Sequence, residues 1–295
     1  MICTLCPRAC NVNRKFEVGF CGANDNIYVS KAYLHQWEEP CISGENGSGT
    51  IFFSPCNLKC VFCQNFDISH QRKGVSIDTD RLCEIMLELQ KKGAHNINLV
   101  TPTPYIDKIA HAIRLIKAEL KIPVVYNCSG YESVETLTKI QDVIDIFIPD
   151  LKFKDDNLCE KYLKARDYYS VAISAIERMI KLTGTPSFQG DIMRNGVIIR
   201  HLVMPSHYRD SIEILDDLHN KFGTGAFLLS LMSQYLPCGN AKNFPKINRK
   251  LTQFEYNKVL DHASDLGFNG FSQDKNSATS DFIPKFDNEG VLKNV

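Results

Sequence analysis

Thr50-Ile51-Phe52-Phe53-Ser54-Pro55-Cys56-Asn57-Leu58-Lys59-Cys60-Val61-Phe62-Cys63-Gln64-Asn65 joins a short apolar run to three closely spaced cysteines. Residues 50–54 have the length and apolar content of a strand buried on both faces. Runs of similar character recur at residues 96–100, 123–127, 145–149, 197–204 and 226–231. Helical patterns lie between them. Residues 79–92 place Leu82, Ile85, Met86 and Leu89 on one face and end at Gly93. Residues 104–120 align Ile106, Ile109, Ala110, Ile113 and Ile116, and 132–141, 167–183, 208–221 and 252–266 complete the series. Strand–helix alternation of this kind implies a parallel sheet with right-handed crossovers. Six repeats fall short of a closed eight-fold barrel. The expected fold is therefore α/β, an open partial (β/α)6 barrel, with a doubly wound sheet as the alternative that element order leaves open.

Residues 1–49 carry little periodicity and end in the turn-rich Ser43-Gly44-Glu45-Asn46-Gly47-Ser48-Gly49. They are expected to form a short Cys-rich N-terminal extension and linker. The barrel then occupies 50–272, and a polar, loosely structured tail 273–295. The 34 Lys and Arg balance the 34 Asp and Glu, which leaves no electrostatic footprint for nucleic acid or a membrane surface. No apolar run approaches the roughly 18 residues of a membrane span. The N-terminus lacks the basic and apolar regions of a signal peptide, so a cytoplasmic location is expected.

Twelve cysteines are many for such a chain, and they cluster: Cys3, Cys6, Cys10 and Cys21 in one group, Cys56, Cys60 and Cys63 in another. Clustered thiols in a chain that is not secreted favour metal ligation over a disulfide framework. The second group reads Cys-x3-Cys-x2-Cys on a loop after the first strand, at the barrel mouth where such folds place their chemistry. Three thiolates without an adjacent fourth match a [4Fe–4S] cluster with one open iron. Structural zinc calls for four closed ligands.

The spacing, the aromatic Phe62 before the third cysteine and the place after the first strand resemble the radical S-adenosylmethionine superfamily. Over about residues 50–240 the chain is similar to the branch with pyruvate formate-lyase activating enzyme and its uncharacterised relatives. The resemblance implies a [4Fe–4S] cluster on Cys56, Cys60 and Cys63 whose open iron binds S-adenosylmethionine. Reductive cleavage would yield a 5′-deoxyadenosyl radical that abstracts hydrogen from a substrate. It also implies a glycyl-radical enzyme as partner and a flavodoxin or ferredoxin-type electron donor. Small-molecule or peptide chemistry is the alternative within the family.

Cofactor contacts are expected at strand ends. Where the family carries a Gly-Gly-Glu-like turn, this chain has Val100-Thr101-Pro102-Thr103-Pro104, so Thr101 and Thr103 supply hydroxyls or carbonyls but no carboxylate. Tyr126-Asn127-Cys128-Ser129-Gly130 resembles an activase Asp-Thr-Asn-Gly turn with Asn127 in place of Asp, and offers Asn127 and Ser129. Asp150-Leu151-Lys152 matches an activase Asp-x-Lys signature, and a spacing of two keeps both charges on one face of an extended chain. Arg200 lies inside an apolar run and requires a partner. His201 alternates to the other side as a packed histidine. Gln234, in Ser233-Gln234-Tyr235, stands where the resemblance implies a polar contact near the adenine and substrate.

Cys3, Cys6, Cys10 and Cys21, with Pro7 and Gly19 in tight turns, suit either zinc or an auxiliary iron–sulfur cluster. Uncharacterised relatives carry a similar Cys-x2-Cys-Pro segment and short activases lack it. His35-Gln36-Trp37-Glu38-Glu39-Pro40-Cys41 combines metal- and acid-bearing residues without a clear assignment. Cys83, Cys159 and Cys238 are lone thiols, and His111 faces solvent. Two other classes remain open at this level: an iron–sulfur electron carrier, which has no use for Asp150, Lys152 or Arg200, and a zinc-stabilised interaction module.

Overall fold

The computed structural model describes residues 2–273 and 284–293. Its centre is a sheet entered through an antiparallel pair, β1 (Ile27–His35) and β2 (Ser48–Phe53), joined through the short helix α1 (Pro40–Ser43). After α2 (Phe66–Ser69), β3 (Val75–Ile77) returns antiparallel to β1. The regular alternation follows: α3 (Thr79–Lys91), β4 (Ile97–Val100), α4 (Ile106–Leu115), β5 (Val124–Cys128), α5 (Val134–Lys139) and β6 (Ile146–Pro149). Helices α6 (Asp156–Leu163) and α7 (Tyr168–Thr183) precede a hairpin of β7 (Ser187–Gln189) with β8 (Ile192–Leu202). The described barrel ends with α8 (Tyr208–Phe222), β9 (Leu228–Met232), α9 (Gln253–Asp265) and β10 (Gly270–Ser272).

Strand order along the sheet is β10-β9-β8-β6-β5-β4-β2-β1-β3, and every neighbour from β2 to β10 is parallel. The order never reverses within the parallel part, so the sheet curls rather than being doubly wound, and its ends do not pair. An unclosed barrel is the result. Ile97, Leu99, Val124, Tyr126 and Phe147 face outward into the core beneath the helices. The alternate residues Val125, Ile146, Ile148 and Ile198 face inward and meet Cys41 and Ile42 of α1, which fills the interior. Local signals agree with the elements. The Asp78 side chain accepts from the Arg81 backbone at 2.8 Å to open α3, and Thr252 with Glu255 forms a capping box on α9.

Two sequence expectations change. Residues 1–49 are not all extension and linker, because β1 pairs with β2 along six residue positions and with β3 at the sheet edge. Within residues 2–49 the described chain before Ile27 precedes the sheet, and residues 36–47 with α1 connect its first two strands. The expected loose tail is partly ordered: Ala32 donates to Glu289 O at 2.9 Å, Lys31 pairs with Asp287 and Glu289, and Phe286 packs on Phe52. The first part of that tail, residues 274–283, lies outside the described residues.

Candidate active site

Parallel strands deliver their C-terminal ends to one mouth. There the inward-facing positions change from apolar to charged: Val125 is followed by Asn127, Ile148 by Asp150, and Ile198 by Arg200. Arg200 donates from Nε to Asp150 Oδ1 at 2.9 Å and from Nη2 to Asn127 Oδ1 at 2.6 Å. Lys152 Nζ lies 2.7 Å from Asp150 Oδ2. All three charged side chains are less than one-fifth exposed: Lys152 and Arg200 are 17% exposed and Asp150 19%. Burial alone would raise the Asp150 carboxyl, but the Lys152 and Arg200 cations outweigh it and hold it below its ordinary range.

A second carboxylate arrives from the segment between β1 and α1. Glu38 Oε2 is 3.3 Å from Arg200 Nη1, and Asn127 Nδ2 donates to Glu38 Oε1 at 3.4 Å. Burial pushes both the Glu38 and Glu39 carboxyls up, Arg200 opposes this, and one Glu39 oxygen has no partner. In the sequence these acids belong to a stretch without an assigned role. The clue was two acids between Trp37 and Pro40, but their burial depends on α1 entering the barrel, which no local pattern reports.

The thiol loop leaves β2 through a cis Ser54–Pro55 peptide and is tied down by backbone. Lys59 N donates to Leu163 O, Val61 N to Tyr162 O at 2.9 Å, and Asn240 N to Val61 O at 2.7 Å. Leu58 N points at Cys56 Sγ at 3.4 Å, and Ser69 Oγ donates to Cys63 Sγ at 3.2 Å. Phe62 is buried edge-on against Phe153 and Tyr235, which holds the loop to the barrel wall. Burial pushes the Cys56 thiol up to about 12 and raises Cys60 and Cys63 as well, with Lys152 opposing in all three. Buried thiols of this kind ionise only when a cation takes the proton's place, so the set suits metal. Among the described residues no three Cys, His, Asp or Glu side chains converge on one ion. A cluster that assigns each thiolate its own iron requires no such convergence, and here the donors fit it.

The remaining expected contacts divide. Ser129 Oγ donates to Asn57 Oδ1 at 3.3 Å, and Asn57 Nδ2 donates to Tyr131 O at 2.7 Å, which ties the β5 end to the thiol loop. Thr101 turns the chain off β4 with a φ of 59°, a costly conformation for a β-branched residue, and its N–H donates to Asn127 O. Thr103 is not brought to this group: it is fully buried and its hydroxyl donates to Glu132 Oε1 at 2.8 Å. Gln234 lines an open cleft of about 750 Å³ with Gln36, Trp37, Glu38 and Gln273, beside the charged group. His201 faces the outer core and its Nδ1 meets Leu151 O at 2.6 Å, and Cys83 and Cys159 are buried in that core. Cys238 donates to Phe62 O at 3.2 Å, so it lies against the thiol loop.

The Radical SAM superfamily model matches residues 50–220, from β2 into α8. This chain belongs to the radical SAM superfamily. An uncharacterized protein of Methanocaldococcus jannaschii, MJ0674, is 35% identical over 269 residues, spanning 88% of this chain and 74% of that protein. Among solved structures, SuiB of Streptococcus suis bound to S-adenosylmethionine has a TM-score of 0.55 at 16% identity, over 77% of this chain and 50% of SuiB. This chain thus spans about half the length of SuiB. A radical SAM methyltransferase from Sphaerobacter thermophilus has a TM-score of 0.51 at 11% identity, over 76% of this chain and 66% of its own. These structures share the fold. Membership of the radical SAM superfamily implies a [4Fe–4S] cluster and S-adenosylmethionine, and hence a radical SAM enzyme. No described helix is long and apolar enough to cross a membrane.

Proposed function

We propose that this radical SAM enzyme abstracts hydrogen from a peptide segment of a partner protein, as an activase of a glycyl-radical enzyme does. In this reading Cys56, Cys60 and Cys63 hold three irons of the cluster. Lys152 and Arg200 face the cofactor's carboxylate and ribose, and Asp150 and Glu38 orient those cations and receive the ammonium. Asn127, Ser129 and the Thr101 turn complete the polar lining, and Gln234 stands between the adenine and the substrate side. The bound groups supply one-electron cleavage of a sulfonium and a carbon radical that abstracts hydrogen. The chain's own part is to bind a zwitterion in fixed orientation and to keep water out of an otherwise apolar barrel.

The observation that carries this reading is the pair of buried cations on Asp150 beside the three thiols. Lys152 and Arg200 are paired with Asp150 and Glu38, and a buried charge group of this kind beside the thiols suits a zwitterionic ligand, which an electron carrier lacks. A peptide substrate is supported by the open cleft of about 750 Å³ that Gln36, Trp37 and Gln234 line beside Glu38. Likeness of the Asp150-Leu151-Lys152 and Asn127–Gly130 turns to those of activases points to a glycyl-radical enzyme, with a flavodoxin or ferredoxin-type donor. The test is anaerobic incubation of the reconstituted enzyme with S-adenosylmethionine, reductant and a glycyl-radical enzyme encoded beside it. A glycyl doublet in the electron paramagnetic resonance spectrum supports activation. Formation of 5′-deoxyadenosine without that doublet redirects the reading to a small molecule or another peptide.

A further inference from the structure

We propose that Cys3, Cys6, Cys10 and Cys21 bind a second iron–sulfur cluster, docked on the loop of the first, through which the reaction's electron passes inward. The role rests on the radical SAM reading above; the site rests on the segment itself. Before Ile27 the described chain contains no helix or extended strand, only the isolated bridge between Ile2 and Asn13. Its large apolar residues are largely outside the core: Phe16 is 84% exposed, and Ile2, Val18 and Phe20 are about half exposed. Apolar burial therefore does not order this segment, and a bound metal centre is the device that orders such short chains.

The turns fold the four cysteines back along one compact segment. Cys3 N donates to Val12 O at 2.9 Å and Asn11 N to Cys3 O at 3.1 Å, folding Cys6 and Cys10 into one loop. Phe20 N donates to Cys10 Sγ at 3.2 Å and Ala23 N to Cys21 Sγ at 3.3 Å. Gly19 approaches Cys10 so closely that a Cβ there would sit 3.2 Å from Sγ. Each thiol is partly buried and none is in a disulfide. Peptide N–H groups aimed at cysteine sulfurs are the donors that stabilise cluster thiolates. Contact of this segment with the first thiol loop, through Lys59 to Cys21 O and Arg8 to Asn57 O, favours a cluster over an isolated structural zinc. Four thiolates also close every iron, leaving a centre suited to carry an electron rather than to bind a substrate.

Its placement sets the role. Lys59, between Cys56 and Cys60, donates from Nζ to Cys21 O at 3.3 Å and to Ser69 O at 2.7 Å, and Ser69 in turn donates to Cys63 Sγ. Arg8 donates to Asn57 O at 3.2 Å and stacks on Phe20 at 3.9 Å. One lysine of the inner thiol loop thus ties that loop to the backbone of the outer cysteine segment. In the transfer, a reduced flavodoxin-type carrier gives one electron to the outer cluster and is oxidised by one. The outer cluster passes that electron to the inner one and returns to its starting state. No atoms move.

The test uses the full chain in anaerobic iron and sulfide. Cys56→Ala/Cys60→Ala/Cys63→Ala should retain roughly half the wild-type iron and, after dithionite, a reduced-cluster resonance. Cys3→Ser/Cys6→Ser/Cys10→Ser/Cys21→Ser should retain the other half. Reduction of that remaining cluster by dithionite should be unchanged, and by reduced flavodoxin slowed at least about tenfold, as expected when a relay is removed. A triple variant without iron, or holding zinc alone, overturns the site, and equal flavodoxin rates overturn the relay. Iron and resonance are read without S-adenosylmethionine, so failure here is separate from failure of the proposed reaction. If the quadruple variant does not fold, the triple variant alone decides the site.

Discussion

Asp150 and Arg200 meet twice at the end of the β6–β8 pair, once as a parallel backbone bridge and once as a 2.9 Å carboxylate–guanidinium contact. The bridge sets where both side chains emerge, so the contact is held by the sheet and not by a flexible loop. Lys152 joins on the other carboxylate oxygen, and the result is a fixed charge pattern at the barrel mouth.

This pattern predicts a binding defect separable from the cluster. Asp150→Ala or Lys152→Ala should weaken S-adenosylmethionine binding, measured calorimetrically, with iron content and spectrum unchanged. A hydrogen bond to a charged group contributes about 1.5–3 kcal/mol, roughly tenfold or more in affinity. Unchanged affinity in both variants reduces the group to a structural ion pair.

Glu38 should behave as a member of the same group although it comes from a remote segment. Glu38→Ala leaves Arg200 with one carboxylate and should weaken cofactor binding, while Glu38→Asp restores part of it. Equal binding by wild type and Glu38→Ala would remove Glu38 from the site.

A pH effect on stability follows from Glu132. Burial pushes its carboxyl up to about 7, with Thr103 and Tyr126 opposing. A folded-state value above the unfolded one means stability that is complete below the unfolded value and lost as pH rises. The window runs from the ordinary carboxylate value to about 7, and the loss is on the order of 3 kcal/mol. Urea unfolding of Glu132→Gln across that window should show a flatter pH profile than wild type. Parallel profiles contradict the assignment.

The ordered end of the tail should contribute to stability. Phe286 is 5% exposed against Phe52, so Phe286→Ala is expected to cost about 3 kcal/mol in urea unfolding. A change below about 0.5 kcal/mol would place the tail outside the cooperative unit.

The parallel strands were legible because both of their faces are buried, which leaves apolar runs such as the unbroken Ile146–Pro149. Asp150, Lys152 and Arg200 were legible because charges stood at strand ends with a spacing that shares a face. β1 was not: a register shift between Val29 and Lys31 breaks its alternation, and Lys31 is buried only because Asp287 and Glu289 return from the far end of the chain. β10 has three residues, too few for any period. Thr103 read as a mouth residue because it follows β4, but the 3-10 turn after Pro102 carries it inward to Glu132. Glu38 was hidden for the same kind of reason, since its partners Asn127 and Arg200 lie far away in the chain.

The central claim is that the Cys56, Cys60 and Cys63 loop and the charges beside it form a site for reductive cleavage of S-adenosylmethionine. Chromatographic measurement of 5′-deoxyadenosine under anaerobic reducing conditions tests it most directly. Wild-type enzyme reconstituted with iron and sulfide should produce it, and Cys56→Ala/Cys60→Ala/Cys63→Ala should produce none. Product from the triple variant, or none from a wild-type protein carrying its cluster, would contradict the account.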